Sequence, residues 1–151
     1  MTWQDKHQVV PAVYLIVRKD KKILCARRAN TGYGDGLYSL PSGHVEARES
    51  AVMAVIREAK EEIGITIDPA DLAFVHVAYR FAEERDHERV DFYFEVTKWS
   101  DELHNAEPEK CDDIQWFAED ALPGNMIPAV RQALLTITNN GQTYSDFGFE
   151  A

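Results

Sequence analysis

Residues 9–17, VVPAVYLIV, restrict the possible folds of this chain more than any other segment. Side chains of a strand alternate between two faces, and here both alternating faces are apolar. A strand of this kind is stable only where another layer covers each face of its sheet. The segment therefore predicts a central strand of a mixed sheet that is sandwiched between helices, in an α/β (α/β/α) fold.

The rest of the chain supplies the elements that such a sandwich requires. Alternating patterns and turn residues predict further strands at 23–28, 37–43, 74–84, 89–99 and 113–118, and three glycines make 29–36 a loop. Helical periodicity predicts helices at 50–63 and 126–138, the second with Pro128 in its first turn. The C-terminal tail is expected to be an edge strand or a packed coil.

Two of these elements have apolar faces that predict their orientation. The core-facing stripe expected for the first helix consists of Val52, Val55, Ile56, Ala59 and Ile63, and Gly64 stands where a C-cap glycine belongs. In the strand at 89–99, the apolar residues that share one face are Val90, Phe92, Phe94 and Val96.

Length and charge narrow the functional classes. The 151 residues are expected to form a single domain, 1–151, and the net charge of −10 argues against an extended nucleic-acid surface. A small anionic substrate held by local arginines, lysines or metal ions remains compatible with that charge. The polar N-terminus, the absence of a membrane-length apolar run and two cysteines without ligand-like spacing predict a cytoplasmic protein with reduced thiols and no membrane partner.

The first helix also carries three closely spaced carboxylates, Glu58, Glu61 and Glu62. On a helical wheel they lie within about 100° of one another, and the Glu58/Glu62 pair places like charges four residues apart. Glu61 and Glu62 additionally face the negative end of the helix dipole. Either this patch is a solvated surface or a divalent cation removes the repulsion, and ligation by oxygen alone suits Mg²⁺ or Mn²⁺.

The spacing around these glutamates matches a known motif. The pattern G-x5-E-x7-R-E-U-x-E-E-x-G-U, in which U is apolar, is filled from position 43 to position 65 by Gly43, Glu49, Arg57, Glu58, Ala59, Glu61, Glu62, Gly64 and Ile65. The segment resembles the Nudix box, and the predicted order of strands and helices extends the resemblance to the Nudix fold over most of the chain. One departure is Ser42, which stands where the family usually has the first glycine of a Gly-Gly pair.

The resemblance to MutT-like Nudix hydrolases implies an activity and roles for residues of the box. Such enzymes use Mg²⁺ or Mn²⁺ to cleave a pyrophosphate linkage in a nucleoside diphosphate joined to another group. It implies that Glu58, Glu61 and Glu62 are catalytic metal ligands, with the backbone carbonyl of Gly43 as a further ligand. Glu49 and Arg57 correspond to a structural ion pair. The general base is left open among Glu58, Glu61 and an acidic residue outside the box.

Each candidate substrate-binding residue outside the box could instead have a purely structural or surface role. Glu107 and Glu109 are either a further acidic ligand or base, or solvated loop charges. The arginines Arg27, Arg28 and Arg80 either contact phosphate or lie on the surface. An aromatic stacking role for Tyr38 competes with a core position, and a base-edge contact by Asn125 competes with an exposed turn.

These residues support several functions. The first hypothesis is a MutT-type (d)NTP pyrophosphohydrolase, with oxidised purines such as 8-oxo-dGTP among its candidate substrates. The alternatives are an ADP-ribose or nucleotide-sugar pyrophosphatase, an RNA 5′-pyrophosphohydrolase, and a non-catalytic nucleotide-binding sensor. Each has a small nucleotide or an RNA end as its partner, and the chain is expected to be a monomer or a homodimer.

Overall fold

The computed structural model describes residues 1–82 and 85–149, and it contains one mixed eight-stranded sheet and two α-helices. The strands are β1 (Val10–Lys19), β2 (Lys22–Arg28), β3 (Tyr38–Ser39), β4 (Ser42–His44), β5 (Leu72–Ala82), β6 (His87–Val96), β7 (Cys111–Ala118) and β8 (Tyr144–Phe147). The helices are α1 (Ala51–Ile63) and α2 (Pro128–Leu135), and a π-helical turn, Thr136–Asn140, continues α2. Short 3-10 turns occur at Trp3–Asp5 and Pro69–Asp71.

The central strand of the sheet is β1. It pairs in parallel with β6, antiparallel with β4 and, at its C-terminal end, antiparallel with β2. The sheet continues from β6 to β5 and then to β8, while β2 pairs with β3 and β7. The tail is therefore an edge strand, since β8 runs parallel to β5.

The two faces of β1 pack against different helices. Ala12, Tyr14 and Ile16 belong to a core cluster that includes Val130, Ala133 and Leu134 of α2. Val13, Leu15 and Val17 belong to a second cluster, which includes Ala54, Val55, Ala59 and Ile63 of α1. The helices therefore cover opposite faces of the sheet, and the α/β/α sandwich predicted from the doubly apolar strand is confirmed.

The predicted C-terminal end of α1 is confirmed, whereas the helix begins one residue after the expected Ser50, which is its N-cap. The Ser50 hydroxyl accepts a hydrogen bond from the Met53 amide at 3.1 Å, and Gly64 ends the helix in the left-handed conformation at φ +73°. The predicted stripe was wrong at Val52, which is 36% exposed, while Ala54 is fully buried. Helical side chains lean toward the N-terminus, so that of Val52, in the first turn, extends beyond the covered part of the helix.

Three strand predictions need correction. The segment 37–43 forms two short strands, β3 and β4, that are separated at Pro41, whose nitrogen has no proton to donate to a ladder. The strand expected to reach position 99 ends at Val96. The predicted strand 74–84 is β5, which runs to Ala82; positions 83 and 84 lie outside the described residues.

The faces of β6 also differ from the expectation. Phe94 and Val96 are buried, but Val90 and Phe92 are only partly buried. On the opposite face Arg89 and Asp91 are 4% and 1% exposed, so the polar face of this strand lies deep in the protein. In the described part of the chain, no helix has the length and apolar character needed to cross a membrane.

Candidate active site

The candidate site forms where β4 meets α1. Gly43 on β4 pairs with Val13 of the central strand, which holds the β4 backbone against the helix. A Cβ atom at position 43 would lie 2.1 Å from Oε1 of Glu58. Only a glycine therefore lets the Glu58 carboxylate approach the β4 backbone this closely.

Glu58 and Glu62 extend from one face of α1 toward β4. The Glu62 carboxylate accepts a 3.0 Å hydrogen bond from the Ser42 amide, and the Glu58 side chain is only 15% exposed. Burial holds the pKa of Glu62 well above the usual range of a glutamate, and the negative charge of Glu58 raises it further. These two carboxyl groups form a destabilising pair unless a proton or a cation neutralises part of their charge.

Arg57 connects the box loop to the helix. Its Nε and Nη2 donate to the two carboxylate oxygens of Glu49 at 2.7 and 2.9 Å, which is a bidentate ion pair. Its Nη1 donates to Glu58 Oε1 at 2.8 Å, and its Nη2 reaches the His44 carbonyl at 3.2 Å. These contacts include the Glu49–Arg57 pair that the resemblance implied, and the Arg57 guanidinium lowers the pKa of Glu49 to about 2.

Glu61 does not meet the other two glutamates. Its side chain is 51% exposed and its carboxylate lies 3.4 Å from Arg57 Nη1. Within residues 1–82 and 85–149, no three Asp, Glu, His or Cys side chains are placed to hold a metal ion together. The structure thus brings Glu58 and Glu62 together, two of the three predicted ligands. Glu61 is separated from them and contacts Arg57, which also contacts Glu58.

A cavity of about 390 Å³ opens beside the Glu58/Glu62 pair. We call it the acidic–basic cavity, because it is lined by carboxylates and by cations. The charged side chains in its wall are Glu58, Glu62, Glu107, Arg27, Arg28 and Lys110. Burial raises the pKa of Glu107, and the charge of Glu58 adds to this effect. Arg27 is already paired with Asp112 at 2.7 Å, whereas Arg28 Nε donates to the Tyr33 carbonyl at 2.7 Å.

Four predicted substrate-binding residues lie outside the wall of this cavity. Tyr38 is 5% exposed and donates its hydroxyl proton to Asp113, so the core position is correct and its ring does not offer a stacking surface. Arg80 is 3% exposed and donates to the Tyr33 hydroxyl at 2.6 Å. Asn125 donates to the Gly36 carbonyl at 3.2 Å, and Glu109 is exposed.

A second cavity, about 270 Å³ in volume, contains residues that the sequence analysis missed. We call it the arginine cavity, because Arg28, Arg85 and Arg89 line it together with Tyr14, Tyr33 and His44. Burial lowers the pKa of His44, and the positive charge of Arg89 lowers it further. The sequence contained one signal for this cavity. Arg89 and Asp91 lie on β6, and β6 pairs with β1, the strand that is covered on both faces.

The chemistry of the gathered donors fits a hard divalent ion. Glu58 and Glu62 supply carboxylate oxygens beside the backbone of Gly43, and Glu61 is the next carboxylate on the same helix. Oxygen ligands of this kind suit Mg²⁺ or Mn²⁺ rather than zinc. Burial and the negative charge of Glu58 both raise the pKa of Glu62, and a bound cation would oppose both effects.

The α/β/α sandwich and the glutamate pair at its strand–loop–helix junction are features of the NUDIX fold, and a comparison of the sequence with family models agrees. A NUDIX domain model matches residues 6–136, so the chain belongs to the NUDIX family and the resemblance is confirmed.

Named relatives and a solved structure agree with this assignment. The chain is 33% identical over 122 residues to the NAD-capped RNA hydrolase NudC of Pseudomonas aeruginosa; the match covers 80% of this chain and 40% of that relative's length. It is 31% identical over 99 residues to the 8-oxo-dGTP diphosphatase of Proteus vulgaris, which covers 66% of this chain and 85% of the relative. The crystal structure of a MutT NUDIX hydrolase from Burkholderia pseudomallei is similar with a TM-score of 0.79 and 27% identity, over 87% of this chain and 100% of that one.

Proposed function

We propose that this chain hydrolyses the pyrophosphate bond of a nucleoside diphosphate joined to another group, with a divalent metal ion as cofactor. The observation that carries this proposal is the convergence of Glu58 and Glu62 beside Gly43, at the wall of a cavity that also contains cationic side chains. Carboxylates suit a metal ion, and the cations suit the phosphate oxygens.

The metal would be held by Glu58, Glu61 and Glu62, with the carbonyl of Gly43 as a further ligand. When bound, Mg²⁺ or Mn²⁺ neutralises phosphate charge and lowers the pKa of a coordinated water. NUDIX hydrolases generally use divalent metal ions, and Mg²⁺ or Mn²⁺ is the choice that the oxygen donors favour.

The remaining side chains of the acidic–basic cavity have separate tasks in this proposal. Arg28 and Lys110 bind the phosphate oxygens, and Arg27 does so if it exchanges its contact with Asp112. Glu107 lies in the wall of the same cavity, and in this proposal it is the acidic residue outside the box that takes a proton from the attacking water. Glu58 and Glu61 are the alternative bases within the box.

For the substrate we propose a nucleoside or deoxynucleoside triphosphate. The similarity to the 8-oxo-dGTP diphosphatase supports this choice, because it covers 85% of that protein, whereas the chain spans only 40% of the length of NudC. Because Asn125 donates to a backbone carbonyl, no described contact favours an oxidised base over an ordinary one. ADP-ribose, nucleotide sugars and RNA 5′ ends are the alternative substrates.

A substrate panel tests the proposal. The purified chain is incubated with MgCl₂ and canonical or oxidised dNTPs, ADP-ribose, nucleotide sugars, dinucleoside polyphosphates or triphosphorylated RNA, and the products are separated by ion-exchange chromatography. We expect metal-dependent release of pyrophosphate and a nucleoside monophosphate from a triphosphate. Binding of nucleotides by the folded protein without turnover of any compound would instead identify a non-catalytic sensor.

Three features of the proposal remain predictions from the sequence. They are the cytoplasmic location, the monomeric or homodimeric state and the organisation of residues 1–151 as one domain. Size-exclusion chromatography with light scattering measures the second, and limited proteolysis followed by mass spectrometry measures the third.

A further inference from the structure

The arginine cavity has a wall of unusual composition for this chain. Among the described residues that line it, three are arginines, Arg28, Arg85 and Arg89, and none is an Asp or a Glu. The chain as a whole carries a net charge of −10, so this concentration of positive charge is local. A cavity lined by cations in an acidic protein favours an anionic ligand over a neutral one.

Arg89 is a built part of this wall. Its side chain is 5% exposed, its Nε donates to Asp91 Oδ1 at 2.7 Å, and its Nη2 donates to the Tyr14 hydroxyl at 3.1 Å. Its Nη1 makes no hydrogen bond within the described residues. Asp91 and Tyr14 therefore fix the guanidinium in place and leave it donors for a ligand.

Tyr33, in the glycine-rich loop between β2 and β3, also lines the arginine cavity. The guanidinium carbons of Arg28 and Arg85 lie 5.4 and 5.0 Å from the centre of the Tyr33 ring. Arg28 Nε also donates to the Tyr33 carbonyl at 2.7 Å. These contacts hold both guanidinium groups beside the Tyr33 ring, where cation–π attraction stabilises them.

The arginine cavity adjoins the candidate metal site. It shares Arg28 and Ser42 with the acidic–basic cavity, and Gly43 lies in its wall. A phosphate chain that occupies the acidic–basic cavity can therefore continue past Ser42 and Arg28 without leaving the protein surface. Among the described lining residues, carboxylates belong to the acidic–basic cavity and none belongs to the arginine cavity.

We propose that the arginine cavity is a subsite for an additional anionic group of the substrate, a phosphate beyond the two that flank the cleaved bond. Arg89 contacts this phosphate, and Asp91 and Tyr14 are positioning residues for Arg89. The subsite selects nucleotides with three or more phosphates over nucleoside diphosphate sugars, whose second half is uncharged. This inference rests on the proposed function for the identity of the substrate, but anion binding by the cavity can be measured separately.

Equilibrium binding without metal tests the subsite. Inorganic tripolyphosphate and pyrophosphate are titrated by calorimetry, with EDTA present, into the wild-type chain and into Arg89→Gln. We expect the wild-type chain to bind tripolyphosphate about tenfold more tightly than pyrophosphate, and Arg89→Gln to lose most of this preference. The matched control is Arg18→Gln, which removes an equal charge from a residue paired with Glu95 and Glu119, and it should retain the preference.

A second variant covers the case in which Arg89→Gln does not fold. Arg89→Lys keeps a cation beside Asp91 but loses the planar fork, and it should reduce the preference at least about threefold. A wild-type preference in either folded variant would overturn the proposal, and so would equal affinity of the wild-type chain for the two anions.

Kinetics separate this inference from the proposed function. If the chain is a hydrolase, Arg89→Gln should raise KM for a nucleoside triphosphate about fivefold or more and leave KM for a nucleotide sugar unchanged. Equal increases for both substrates would overturn the subsite while the hydrolase proposal stands. A chain without turnover that still shows the Arg89-dependent anion preference would retain the subsite and lose the hydrolase.

Discussion

The Glu58 carboxylate fills the space in which a side chain at Gly43 would lie, since a Cβ atom there would be 2.1 Å from Glu58 Oε1. Gly43 is on β4 and Glu58 is on α1, so this contact joins the strand to the helix of the candidate site. Real Cβ contacts are essentially never shorter than 3.0 Å, and the Glu58 side chain must move if any group is added.

We therefore expect Gly43→Ala to lose most turnover and to be destabilised by on the order of 1–3 kcal/mol. The matched control is Gly124→Ala, because a Cβ atom at Gly124 would have no neighbour within 4 Å. Turnover with MgCl₂ and denaturant unfolding measure the two effects. Equal behaviour of the two variants would show that the close approach of Glu58 has no functional role.

The metal assignment predicts a separation of activity from stability. Glu61→Gln and Glu62→Gln should each lower turnover by about 100-fold or more, because loss of an outer-shell partner alone costs roughly 10–100-fold. At a pH at which Glu62 is ionised, Glu62→Gln should also raise the melting temperature of the metal-free protein, since a neutral amide removes a buried charge and its repulsion with Glu58. Wild-type turnover in both variants would disprove the assignment.

The role of Glu107 is tested in the same assay. Glu107→Gln should reduce turnover and change the acidic limb of the pH–rate profile, because Glu107 lies in the wall of the acidic–basic cavity. Glu109→Gln is the control, since Glu109 is exposed and lies two residues away. An unchanged profile in Glu107→Gln would leave Glu58 or Glu61 as the base.

The Glu49–Arg57 ion pair predicts a specific acid sensitivity. The pKa of Glu49 falls from 4.5 to about 2 in the folded protein, chiefly through its hydrogen bonds with Arg57. A lowered pKa means that the stabilisation is complete above about pH 4.5 and is lost as the pH falls toward about 2. Melting temperatures across this range should therefore fall more steeply for the wild-type chain than for Glu49→Gln.

Glu46 provides the comparison for that measurement. Its carboxylate lies 3.8 Å from Arg57 and its side chain is 68% exposed, so Glu46→Gln should retain the wild-type slope. Parallel curves for the wild-type chain and Glu49→Gln would show that the bidentate pair does not stabilise the fold.

The two thiols should differ in reactivity. Burial raises the pKa of Cys25 to about 12, and the residue is fully buried, whereas Cys111 is partly exposed. At pH 8 only about one in ten thousand Cys25 thiols is ionised, because the thiolate fraction falls tenfold for each unit between the pH and the pKa. In the native chain, Cys111→Ser should react with a thiol reagent much more slowly than Cys25→Ser, and the two rates should become similar in denaturant.

Sequence patterns predicted elements best where the cause was local. The limits of α1 follow from the Ser50 cap and the Gly64 terminus, and both are hydrogen-bonding or backbone requirements of adjacent residues. The doubly apolar β1 predicted the sandwich, because an apolar face requires a covering layer wherever it lies. Val52 was misplaced because periodicity describes a face but not where the neighbouring layer ends.

The residues that line the substrate-binding cavities were harder to predict from the sequence. Arg89 and Asp91 look like an ordinary polar face of β6 in the sequence, and both are buried once β6 pairs with β1 inside the sheet. Tyr38 and Asn125 lie outside the described wall of the acidic–basic cavity, and their side chains donate hydrogen bonds to Asp113 and to the Gly36 carbonyl. Such partners are distant along the chain and are chosen by packing.

By itself, the sequence determined the family, the sandwich and the box residues, because these depend on spacings along one helix and on the polarity of single segments. Only the tertiary structure decided that Glu58 and Glu62 meet at Gly43 while Glu61 pairs with Arg57. It also decided that Arg89 is buried in the wall of a cavity that Gly43 lines as well. Distances between side chains on different elements depend on how strands pair and helices pack. Those distances determine how strongly neighbouring charges shift the pKa of each group, and they determine which ligand each cavity can bind.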